Sequence, residues 1–79
     1  MNANDADIEK GAACAAALEE LFRQYPTVDC HFGSKRGWEW RERAIMWAQG
    51  GDISVAITWA MGTGVPDDVL LSLKGLLDE

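Results

Sequence analysis

The sequence predicts an α+β domain of order α-β-β-β-α, a three-stranded antiparallel meander with two helices packed on one face. Three observations point there: apolar stripes at helical spacing near both ends, period-two alternation in the middle, and glycine turns that set two strand registers independently. At 79 residues the chain fits one domain spanning 1–79, and a domain of that size buries only about 60% of its unfolded surface. Hydrophobic content of 48%, with 4 Trp, still favours a packed core over disorder.

The first helix is read from about Asp5 to Tyr25, a stretch rich in Ala, Leu and Glu, which lose little entropy on forming helix. Ile8, Cys14, Ala15, Leu18, Leu21, Phe22 and Tyr25 share a stripe of roughly 140°. Asn4 or Asp5 can cap it, Asp7 and Glu9 suit the positive end of its dipole, and Pro26 stops it. The second helix begins at Pro66, with Asp67 and Asp68 in its first turn and Val69, Leu70, Leu73, Leu76 and Leu77 on one stripe.

Between them Val28, Cys30 and Phe32 alternate with Asp29 and His31 as a short strand, ending at Gly33-Ser34-Lys35-Arg36-Gly37. Trp38 to Ala48 alternates at first and then reads equally as helix. Ile53, Val55, Ile57, Trp59 and Met61 alternate with Ser54, Ala56, Thr58 and Ala60, and Gly50-Gly51 is a suitable two-residue hairpin loop. That loop pairs Met46 with Val55, Glu42 with Trp59 and Trp40 with Met61, while the earlier turn pairs Phe32 with Trp38 and Cys30 with Trp40. Both registers put the same side chains on one face, with only Glu42 out of place. The helices are expected to cover Phe32, Trp38, Trp40, Met46, Val55, Ile57 and Trp59. The competing reading makes Trp38 to Met61 all helical.

A net charge of −6 argues against a generic binder of nucleic acid or anionic membrane, which neutralises phosphate with excess Lys and Arg. The basic residues are nevertheless concentrated, since Lys35, Arg36, Arg41 and Arg43 are four of the 7. No stretch approaches the roughly 18 to 20 apolar residues that span a bilayer, and the polar start is the reverse of a secretory signal, so a cytoplasmic protein is expected. Cys14 and Cys30 allow one disulfide arithmetically and read more simply as buried small hydrophobes.

Catalytic chemistry finds little to work with. Cys30 and His31 are adjacent on a strand and so point to opposite faces, and two Cys with one His fall short of four zinc ligands. The Gly33 to Gly37 turn lacks the Lys-Ser/Thr of a phosphate loop. Glu42 is either a partly buried carboxylate beside Trp59, with a raised pKa, or a solvated group at the sheet edge. No enzyme activity, metal or cofactor is therefore expected.

The open sheet face is the expected working surface, carrying Glu39, Arg41, Arg43, Ile45, Trp47, Ala56, Thr58 and Ala60. Exposed Trp beside Arg is the mixture enriched at binding hot spots, which makes Arg41, Arg43, Ile45 and Trp47, with Lys35 and Arg36, the candidate partner contacts. The expected function is binding and modulation or inhibition of a protein or protein complex, with a homodimer as one use of the patch. The alternative is a homodimeric nucleic-acid-binding module using the basic segment, Trp47 stacking on a base. Acidic helices that mimic nucleic acid in a basic groove form a third class. In size, acidity and want of a catalytic set the chain resembles the small inhibitors encoded by bacteriophages and mobile elements, including anti-CRISPR proteins. The resemblance lies in general build and carries over no residue.

Overall fold

The computed structural model describes residues 5–27 and 37–77. They form four helices, α1 (Asp5–Gln24), α2 (Gly37–Gln49), α3 (Ile53–Ala60) and α4 (Asp67–Leu77). No strand occurs among the described residues. The expected α+β class and its three-stranded meander are thereby overturned in favour of an all-helical arrangement. The two terminal helices lie where their stripes placed them. The strand proposed at Val28 to Phe32 lies outside the described residues.

The alternation across Ile53 to Met61 arises from counting Ala56 and Ala60 as surface positions. In the structure both are fully buried, together with Ile53 and Ile57, at the spacing of a helix stripe. Within α3 only Ser54 and Thr58, four residues apart, are exposed. A short helix that is apolar nearly all round contains an alternating subset by necessity. Residue type decides the outcome: alanine is the strongest helix former and is depleted in strands.

The same holds for α2, whose buried residues are Gly37, Arg41, Ala44 and Ala48. Steps of four, three and four residues draw one line down a helix. Small residues on that line allow close backbone approach, and α2 has its most extensive contacts with α3 and α1. At the α1 crossing a Cβ on Gly11 would fall well inside van der Waals contact with the Ala48 carbonyl oxygen. The expected hydrophobic burial of Trp38 and Met46 is corrected accordingly: they are 47% and 66% exposed.

Gly50-Gly51 is a helix stop, with no hairpin. Gly51 has φ 92°, its amide donates to the Ala48 carbonyl at 2.9 Å, and the Asp52 amide donates to Trp47 at 3.0 Å. This pair of bonds is the Schellman closure of a helix C-terminus, which calls for a left-handed residue where Gly51 stands. Asp52 then starts the next helix by accepting from the Val55 amide at 3.2 Å. One turn ends α2 and opens α3 without a linker.

The core gathers between the helices from Cys14, Leu18, Ala44, Ile57, Val65 and Leu70, with Leu21, Phe22, Tyr25, Ile45, Trp59 and Leu73 packed around it. α4 closes the bundle against α3 and α1.

Candidate functional site

Four residues from the expected binding set fall on α2 and separate by side. Arg41 points inward and is 6% exposed. Its Nη1 donates to the Phe22 carbonyl at 3.1 Å. Its Nη2 reaches the carbonyls of Tyr25 at 3.0 Å, Pro26 at 3.3 Å and Thr63 at 2.9 Å. The guanidinium also lies 4.6 Å from the centroid of the Phe22 ring. Phe22 belongs to the last turn of α1, where carbonyls lack helical partners and the helix dipole is negative. Arg41 thus caps α1 from a neighbouring helix and ties that cap to the turn between α3 and α4. Burial lowers its pKa from the usual arginine value, and carbonyl dipoles take the place of a carboxylate.

Arg43 points the other way. It is exposed, with its guanidinium 5.6 Å from the centroid of the Trp59 ring. Trp59 in turn packs on Trp40, centroids 4.4 Å apart and planes tilted by 39°. The Trp40 indole Nε1 is buried without an acceptor among the described residues. Trp47 is 45% exposed and Ile45 is half-buried against the core. Lys35 and Arg36 lie outside the described residues, as do Cys30 and His31. Ala56 and Ala60, also expected on the open face, are in the core.

The outward half of α2 therefore carries Trp38, Met46 and Trp47, with Glu42 and Arg43 between them. Two shallow depressions of about 360 Å³ each flank the Arg43 and Met46 side chains. Trp38, Glu39 and Glu42 line one, and Trp47 and Gly50 line the other. Glu42 is exposed here, which answers its two sequence readings in favour of solvation. Sequence reasoning missed Trp38 and Met46 as surface groups. The signal available was the line of Arg41, Ala44 and Ala48, whose opposite side is Glu39, Glu42 and Met46 on any helical wheel.

The other large exposed apolar residues, Ile8, Leu71 and Leu76, are distributed over α1 and α4. Leu71 and Leu76 stand five positions apart, about 140° around their helix, and form no common face. Among the described residues no group of three His, Cys, Asp or Glu is placed to hold a metal ion. No helix among them is long and apolar enough to cross a membrane. No family, curated protein or solved structure matches the chain.

Proposed function

We propose that the chain is a non-catalytic module that binds, and by binding modulates, a protein partner through the outward face of α2. One observation carries the reading: Trp38, Met46 and Trp47 are exposed on one half of a short helix around Arg43. Tryptophan and arginine dominate interface energetics, and Met adapts its shape to a partner surface. Arg41 has no part in this surface, because it is buried with its two terminal nitrogens bonded to carbonyls inside the protein. Loss of Arg41 from the exposed basic group also weakens the nucleic-acid alternative, which needs several cations on phosphates.

The test is affinity capture with tagged protein as bait in a lysate of the cells that make it. Wild type runs beside a Met46→Glu, Trp47→Ala variant and a Leu76→Glu control. The expected result is a protein, whether a different one or untagged copies of this chain, held by wild type and control at moderate and high salt and lost by the α2 variant. Equal retention by all three overturns the reading. Retention of nucleic acid alone, and only at moderate salt, replaces it with the phosphate-binding alternative.

A further inference from the structure

We infer that the partner seated on the outward face of α2 is a basic amphipathic segment of another protein, which sets a Lys or Arg against Trp38 and Glu42 and an apolar side chain between Met46 and Trp47. The inference rests on the reading of this face as a protein-binding surface and names the chemistry of its occupant. The first argument is charge. With Arg41 buried, the charged groups left on the outward side of α2 are Glu39, Glu42 and Arg43. Two carboxylates against one guanidinium make the face net negative, and the whole chain carries −6. A cationic segment is drawn to this surface at long range and matched by it at contact, whereas an acidic segment is repelled.

The second argument is where those groups stand. Around the helix axis Glu42 lies about 40° from Trp38 and Met46 about 80°, whereas Arg43 and Trp47 lie about 140° and 180° away. The face therefore has an acidic flank beside Trp38 and a basic flank beside Trp47. The depression lined by Trp38, Glu39, Glu42, Arg43 and Met46 joins an exposed indole to two carboxylates. An aromatic ring attracts a cation through its quadrupole and a carboxylate attracts it through charge, so the two together suit an ammonium or a guanidinium. Glu42 is exposed and makes no ion pair within the described residues, which leaves its charge for a partner. Arg43 borders the depression, but its guanidinium lies against the Trp59 ring, which packs on Trp40, about 200° round the helix from Trp38. The neighbouring depression, lined by Arg43, Met46, Trp47 and Gly50, holds no carboxylate and suits an apolar group. Glu42 and Met46 stand about 6 Å apart along the axis. A partner reaches both with a cation and an apolar residue four positions apart on a helix or two apart on a strand. Charge selects such a partner and the apolar groups hold it, so the contact outlasts added salt.

The test lets the protein choose its ligand. The full chain is immobilised and panned against a phage-displayed library of random peptides about 16 residues long, enough for about four helical turns. A Met46→Ala, Trp47→Ala variant, unchanged in charge, is panned in parallel to remove peptides bound elsewhere. Peptides specific to wild type are expected to exceed the starting library in Lys and Arg, with an aromatic or large aliphatic residue two or four positions from a basic one. The strongest of them, made as a free labelled peptide, is titrated by fluorescence anisotropy. Glu42→Lys is expected to weaken its binding at least about tenfold. Glu9→Lys, the same change of charge at an exposed position of α1, is expected to stay within about twofold of wild type, because salt screens a distant charge. Circular dichroism confirms that the variants keep their helices.

Equal weakening by Glu42→Lys and Glu9→Lys is a response to net charge alone and overturns the inference, as does the absence of any peptide specific to wild type. The two levels separate in the same experiment. Specific peptides without a basic excess remove the partner's chemistry and leave the surface. Peptides held equally by the Met46→Ala, Trp47→Ala variant remove the surface reading too.

Discussion

The two sides of α2 invert the usual ordering of residues. Its inward line is Gly37, Arg41, Ala44 and Ala48, and its outward half carries Trp38, Met46 and Trp47. Hydrophobicity alone would place them the other way round. What decides is distance: α2 lies so close to α1 that Gly11 has no room for a Cβ against Ala48, and large side chains do not fit such a seam. Arginine is admitted because four carbonyls at its tip would otherwise want donors. Burial here follows backbone approach and hydrogen-bond demand, and the apolar bulk is left exposed.

The comparison is most sharply tested at Arg41. Truncation to Ala strands the buried Thr63 carbonyl and removes the bonds to the part-buried carbonyls at the end of α1, with an expected loss of about 1–3 kcal/mol. A domain of this size has only about 4–12 kcal/mol in all, so urea denaturation of Arg41→Ala should show a clearly lowered midpoint. Lysine does not rescue, because one ammonium cannot span four acceptors. A variant of wild-type stability would show that the inward arginine is dispensable.

Gly11→Ala probes the close seam. Alanine normally gains about 1 kcal/mol in a helix over glycine, whereas overpacking costs about 1–3 kcal/mol. The contact with the Ala48 carbonyl makes the second effect win, and a melting temperature lower by several degrees is the expected reading. A higher one would mean that α1 and α2 can part without penalty. Asp52→Ala removes the N-cap of α3 and is expected to cost about 1 kcal/mol in the same melt.

The outward side should respond least in stability and most in association. Met46→Glu exchanges an exposed group and is expected to stay within about 0.5 kcal/mol of wild type in denaturation. A large destabilisation would mean that Met46 belongs to the packed interior after all.

Legibility followed the same divide. α1 and α4 were readable because their buried positions are held by large residues, such as Leu18 and Leu70, which weigh heavily in a periodicity count. α2 and α3 were not, because alanines mark their buried lines and alanine weighs little. Strand alternation puts Arg41 on the open sheet face, and nothing in the sequence announces four carbonyls 15 to 22 residues away. Arg43 and Trp47 stand on the surface, though no strand alternation puts them there. Gly50-Gly51 followed by Asp52 held the needed information, since Gly before an acidic residue and an apolar run marks one helix ending and another beginning as well as it marks a hairpin.

That shared turn has a consequence for the order in which the chain assembles. Its bonds join residues at most five positions apart, so α2 and α3 can pair as soon as both are helical, at little cost in loop closure. The Arg41 contacts enclose much longer loops and belong to a later stage. The helical pair is then the nucleus and the arginine the latch. In stopped-flow kinetics Asp52→Ala should act mainly by slowing folding and Arg41→Lys mainly by speeding unfolding. The lifetime of the folded protein is accordingly set at Arg41, and the speed of reaching it at the turn between α2 and α3.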